Sequence, residues 1–121
     1  MKHKRHNEGE IITKKDYFKK IIFSLEDFSN TGHLLQVVTI LPQTKLRAHK
    51  HAQQTEVHYV LEGEAVFTFN GQALLAQPGD AFITPPGDIH KVWNKTDKNF
   101  KLIVFKINVP SDTDDTEWME E

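Results

Sequence analysis

The 121-residue sequence contains no cysteine. That excludes disulfide staples, thiolate nucleophiles and every zinc site built on Cys, and says little about compartment. No apolar run approaches the ~20 residues needed to cross a bilayer. The first residues lack the apolar segment of a secretory leader, so a cytoplasmic protein is the expectation. An excess of one charge is missing too. Fifteen Lys and Arg stand against 17 Asp and Glu, a net charge of -2, so nothing draws the chain to nucleic acid or to a membrane surface. The hydrophobic fraction is only 38%, with much of the polar content at the two ends. The length suits one domain and is short for two. A chain of this size buries roughly two-thirds of its unfolded surface.

Residues 1–18 form a basic arm and residues 110–121 an acidic tail, flanking a domain over 19–109. Within them residues 1–10 and 111–121 read as poorly ordered, because neither stretch carries apolar periodicity to bury. Trp118 and Met119 are able to dock the tail, and the sequence leaves that open. His3 and His6, on a flexible end, read as solvated rather than as a metal trap.

Between the ends the pattern is β throughout. Residues 34–41 are an apolar, β-branched run stopped by Pro42. Residues 57–61 and 65–69 follow, turned by Glu62-Gly63-Glu64. Asn70-Gly71 is a strong hairpin signal, since a type I′ turn needs φ > 0 at both central residues. Pro78-Gly79-Asp80 and Pro85-Pro86-Gly87-Asp88 punctuate a strand over 81–84. Val92-Trp93 and residues 100–107 supply the last strands. Residues 14–22 suit a short helix, while 19–25 read equally well as an edge strand. Many short strands at close spacing imply an all-β sandwich or barrel.

His49-Lys50-His51 places two imidazoles at i and i+2, on one face of a strand with Cα atoms roughly 6.6 Å apart. Two ring nitrogens at that spacing can converge on one ion at about 2.0–2.1 Å. Seven histidines in 121 residues give about 0.4 such pairs by chance, so context must decide. Glu56 stands four residues beyond Ala52, at the head of the next strand, where a short turn brings its carboxylate beside the imidazoles. A second cluster runs Gly79, Pro85, Gly87, His90, Asn94. There Pro85-Pro86-Gly87 suits a type II turn that swings His90 into the barrel.

The stretch His49-x-His51-x4-Glu56-x6-Gly63 resembles the first motif of the cupin family. Gly79-x5-Pro85-x-Gly87-x2-His90-x3-Asn94 resembles the second at every defining position. One element departs: the first motif usually opens with Gly, and here that position is Gln43. The resemblance implies a double-stranded β-helix, or jelly-roll, with a metal ion inside, held by His49, His51, Glu56 and His90. Three imidazoles and one carboxylate suit one divalent transition metal ion (Fe, Mn, Ni, Cu or Zn) and are too nitrogen-rich for Ca or Mg.

His58, two residues after Glu56, shares its interior parity and is the candidate general base or acid. Some cupin lyases resemble this arrangement, with a tyrosine in that place. Gln36, Val38, Ile40, Phe67 and Phe69 read as barrel core that also lines a cavity, and Lys45 and Arg47 as solvated rim residues. Val57, Tyr59, Leu61 and Trp93 take outward parity, an apolar face that implies a homodimer. The first functional reading is a metal-dependent enzyme of dioxygenase, isomerase or lyase type acting on a small polar organic molecule. The second is a non-catalytic metal or small-molecule, sugar-like, binding module, because fold alone does not choose a function.

Overall fold

The computed structural model describes residues 1–119. Its strands are β1 (Glu10–Thr13), β2 (Tyr17–Phe23), β3 (Leu34–Ile40), β4 (Thr44–Lys45), β5 (His49–His51) and β6 (Thr55–Glu62), then β7 (Ala65–Phe69), β8 (Gln72–Ala76), β9 (Ala81–Thr84), β10 (His90–Asn94), β11 (Phe100–Ile107) and β12 (Thr116–Trp118). One 3-10 turn, Leu25–Asp27, is the only helical element among the described residues. None of these described residues forms a helix long and apolar enough to cross a membrane.

The strands build two antiparallel sheets. One runs β1-β2-β3-β11-β6-β9 and the other β12-β5-β10-β7-β8, with β4 added beside β10. Both contribute to one core: Ile40, Val60, Phe100, Leu102 and Val104 from the first meet Ala65, Phe67, Ala76 and Val92 from the second. This is the jelly-roll barrel that the cupin resemblance implies, within the sandwich-or-barrel class of the strand pattern. The β7–β8 hairpin turns at Asn70 and Gly71, with φ of 47° and 84°, the two positive values that a type I′ turn requires.

Two expectations are corrected. Residues 14–22 do not form a helix, and the strand read over 19–25 is present as β2 but lies inside its sheet between β1 and β3 rather than at the edge. The alternation Tyr17, Lys19, Ile21 faces inward in register with Ile40, Val38 and Gln36, and that period of two selects a strand. Nor are the ends poorly ordered throughout. Glu10–Thr13 pairs with β2 and Thr116–Trp118 with β5. A short segment gains ladder hydrogen bonds on an open sheet edge without needing a long apolar face of its own. Residues 120–121 of the tail lie outside the described residues. His3 and His6 are exposed, as expected of solvated side chains.

Register explains where the site falls. Along the inward rows, Leu102 stands opposite Val60, Val104 opposite His58 and Lys106 opposite Glu56. On β3 the same progression runs Ile40, Val38, Gln36, and on β10 it runs Val92 to His90. The barrel therefore has an apolar end and a polar end. Each fully buried side chain at the apolar end contributes about 1.5–3 kcal/mol, and this end carries the fold. At the other end Gln36, His51, Glu56, His58 and His90 are buried, against the usual cost of burying polar groups.

Candidate metal centre

β5 sets His49 and His51 on one face, and β10 lies beside it with His90 directly opposite His49. The turn before β10 aims that histidine. Asp88 N donates to Pro85 O at 3.2 Å, closing a turn with Pro86 second and Gly87 third, and Gly87 N donates to His51 O at 2.8 Å. Gly87 has φ of 89°, which type II geometry demands and a side chain would oppose. Glu56 comes from the facing sheet at the start of β6.

The four side chains meet. Their ligating atoms all lie within 4.8 Å of one another. His51 Nε2 is 3.0 Å and His90 Nε2 3.2 Å from the same oxygen, Glu56 Oε1. Two donors bonded to one ion at about 2.1 Å lie about 3 Å apart at right angles and about 4.2 Å apart in line. His51 Nε2 and Glu56 Oε1 are buried without a hydrogen-bond partner; they are close but not aligned on each other. Buried polar atoms left in that condition are costly unless something sits between them.

The outer nitrogens are held. His51 Nδ1 faces Asp115 Oδ1 at 3.3 Å and Thr116 Oγ1 at 3.2 Å. His90 Nδ1 faces Asp88 O at 3.3 Å, and His49 Nδ1 faces Arg47 O at 3.5 Å. A carbonyl or carboxylate oxygen only accepts, so each Nδ1 must carry the proton. That tautomer leaves the Nε2 lone pair facing inward, the arrangement that orients metal-binding histidines. Burial, then the neighbouring His90, push His49 down to about 4. Burial alone would raise the Glu56 carboxyl, but protons carried on the facing nitrogens of His51 and His90 outweigh it and hold Glu56 well below the carboxylate range, so an ion and those protons compete for one place. The set fits a divalent transition metal by donor type, spacing and protonation state.

His58 lies on the wall of the same cavity, its ring 5.8 Å from that of His90 and edge-on to Phe67 at 5.3 Å. Its Nε2 reaches Thr84 Oγ1 at 3.3 Å rather than Glu56. Thr84 in turn donates its hydroxyl hydrogen to Glu56 O at 3.4 Å, so Nε2 is the protonated nitrogen. Nδ1 keeps its lone pair and has no partner in the protein. Burial, partly opposed by Glu56, pushes His58 down to about 4.

The cavity measures about 380 Å³, within the small-molecule range of roughly 300–1,000 Å³. Lys45 and Arg47 are exposed at its rim. Arg47 Nε donates to Met119 O at 2.6 Å and Lys45 Nζ sits 4.8 Å over the Trp93 ring. Trp93 faces outward as its parity requires. Trp118 leans on His49 with ring centroids 4.9 Å apart, so the tail does dock.

Sequence reasoning missed Asp115 and Thr116. One of several acidic residues in a polar tail, Asp115 is distinguished only by strand pairing, which sets Thr116 opposite His51. Asn94 has a structural task. Fully buried, its Nδ2 donates to Ile40 O, Leu41 O and Lys98 O at 3.3, 3.1 and 2.8 Å. Gln43, where the first motif has Gly, keeps a left-handed φ of 56°. Its Nε2 donates to Lys95 O at 2.9 Å and Thr96 O at 3.1 Å, which offsets the strain of a side chain there.

The Cupin domain family model matches residues 36–106. The chain belongs to the cupin family. Among solved structures it is similar to KdgF from a Halomonas species, with TM-score 0.76 and 17% identity over 89% of this chain and 94% of that one. It is also similar to a predicted oxalate decarboxylase from Thermotoga maritima, with TM-score 0.73 and 26% identity over 83% and 91% of the two chains. A third is Streptomyces Pac13, described as a unique nucleoside dehydratase, with TM-score 0.76 and 15% identity over 99% and 92%. No curated protein matches the chain.

Proposed function

We propose that this cupin is a metal-dependent enzyme acting on a small polar organic molecule, with one divalent transition metal ion (Fe, Mn, Ni, Cu or Zn) held by His49, His51, Glu56 and His90. The observation that carries the reading is the convergence of four ligating atoms within 4.8 Å at the polar end of a small-molecule cavity. When bound, such an ion supplies Lewis acidity toward a ligand oxygen. The chain's own residues do the rest. Arg47 O, Asp88 O and Asp115 fix the imidazole tautomers, and Phe67 and Val92 wall the cavity against water. His58, kept neutral near neutral pH by burial and with a free lone pair on Nδ1, is the candidate to accept a proton from the bound molecule.

Residues 19–109 are the working barrel in this proposal, with 1–18 and 110–121 as segments added to it. It includes a cytoplasmic location and a homodimer closed over the outward face of β6, where Tyr59 and Leu61 are exposed. The Thermotoga and Streptomyces neighbours, named as a decarboxylase and a dehydratase, support chemistry on small polar molecules. They do not choose among the dioxygenase, isomerase and lyase types.

Metal analysis of protein purified without a chelating column tests the reading. About one first-row transition metal per chain is expected, with much less in His90→Ala. A metal-free wild type, in medium supplemented with each candidate metal, sinks it. Oxygen-consumption screening then separates oxygenase from isomerase or lyase. One observation favours a second reading, a non-catalytic binding module: His58 is bonded to Thr84 and packed on Phe67, as a wall residue would be.

A further inference from the structure

Two lysines stand on the inward face of the barrel, where apolar residues would be the rule. Lys106 ends the inward row of β11, in register with Glu56. Lys19 lies on the inward row of β2, in register with Val38. Both are half-buried and both line the cavity that holds the histidine cluster. No carboxylate comes within ion-pair distance of either one among the described residues. They also act on each other. The Lys19 ammonium is pushed below its ordinary range by burial first, then by repulsion from Lys106 and Lys14.

Between them the cavity wall carries Gln36, only 4% exposed, whose amide makes no hydrogen bond to the described residues. One amide and two ammonium groups, none bonded to a side chain among the described residues, thus line one void as hydrogen-bond donors. The charge of the whole lining points the same way. Lys19, Lys45, Arg47 and Lys106 face Asp16 and Glu56, a net of +2 with neutral histidines, inside a chain whose net charge is -2. A divalent ion on the histidine cluster would raise the lining to +4. Low-dielectric walls concentrate such a field on whatever enters.

We propose that the cavity takes a small organic acid, its carboxylate held between Lys19 and Lys106 with Gln36 donating to it, while another oxygen of the same molecule faces His49, His51, Glu56 and His90. This deepens the metal-site reading and rests on it for the second half only. An anionic ligand offsets the repulsion between the two lysines and supplies an acceptor to donors that line the cavity without a protein partner. A neutral analogue of the same shape does neither. The site therefore discriminates by charge, not only by size.

The test uses the whole 121-residue chain loaded with zinc, and the probes are glycolate, malonate, succinate, malate and 2-oxoglutarate, each beside its neutral amide. Calorimetric titration is expected to show at least one acid binding, with its amide weaker by roughly tenfold or more. Lys19→Met and Lys106→Met should each weaken that acid by about tenfold while zinc content holds. Lys106→Arg, which keeps the charge, should restore most of the affinity and guards against a variant that merely misfolds. Three results would each overturn the proposal: no acid binds, acid and amide bind alike, or the methionine variants bind the acid as wild type does. Zinc content measured on the same samples separates the two readings. A chain that takes neither zinc nor any other of the candidate metals ends the metal-site reading, whereas acid binding that still depends on Lys19 and Lys106 would uphold the lysine assignment by itself.

Discussion

Asp115 and His51, 64 residues apart in the chain, meet with Oδ1 and Nδ1 at 3.3 Å. The carboxylate does more than touch the ring. Its other oxygen accepts Gln53 N at 2.8 Å and Gln54 N at 2.9 Å, and Oδ1 accepts Gln54 Nε2 at 2.6 Å. It is thus fixed from three sides and in turn fixes the imidazole. Asp115→Ala should lower zinc affinity by about 10–100-fold, the usual effect of losing a partner behind a metal-binding histidine. Competition against a chromophoric chelator measures this. An unchanged affinity would mean that Thr116 Oγ1 alone orients His51.

Metal and stability are linked through the same cluster. An ion that binds only the folded chain at a hundredfold excess over Kd stabilises it by about 2.7 kcal/mol. For a domain of this size that is roughly 10 °C in Tm. Adding zinc to metal-stripped wild type should give a rise of that order, and His90→Ala should lose most of it while still melting cooperatively. Equal shifts in both proteins would show zinc acting elsewhere.

His58 separates a working site from an occupied one. His58→Phe keeps the shape of the wall beside Phe67 but removes the lone pair. Such a variant should retain metal and lose turnover, with His58→Gln keeping part of it. If His58→Phe turns over substrate at the wild-type rate, His58 is only a wall residue and the binding-module reading gains.

Gln43 holds a left-handed backbone that its motif normally gives to glycine. Gln43→Ala keeps the strain and loses both amide hydrogen bonds, so it should cost about 1–2 kcal/mol by urea unfolding. Gln43→Gly loses the bonds and the strain together and should fall within about 0.5 kcal/mol of wild type. Equal losses in both variants would show that the amide, not the backbone, governs this turn.

The outward face offers a direct check on assembly. Tyr59 and Ile83 are 46% and 64% exposed, and they flank Val57, whose register partner is Ile83. Part of this sheet is already covered within the chain, since Phe28 leans on Phe105 with ring centroids 6.1 Å apart. Light scattering should give a dimer for the wild type and a 14.0 kDa species for Ile83→Glu. A wild type that is monomeric at micromolar concentration removes the homodimer.

Much of the molecule was legible because its signals are local. The β11 boundaries, the Asn70-Gly71 turn and the Pro85-Pro86-Gly87 turn follow from side-chain branching and from which residues tolerate a given φ, and neither depends on distant partners. Parity within a strand likewise set His49 beside His51 and turned Trp93 outward. What lay beyond reach was the lateral order of strands. Residues 10–13 offer only the brief β-branched run Ile11-Ile12-Thr13 and residues 116–118 less, and each becomes a strand by completing the hydrogen bonds of a sheet edge formed elsewhere. The same holds for Asp115, chosen from an acidic tail by the register of β12 on β5, and for Lys19 and Lys106, set around one cavity by strands far apart in the chain. The sequence by itself determined the all-β class through period and turn chemistry, which act over a few residues, and the candidate ligands through two motifs that resemble those of the cupin family. Tertiary structure alone decided which charges stand behind and around those ligands, because that depends on pairings between distant strands.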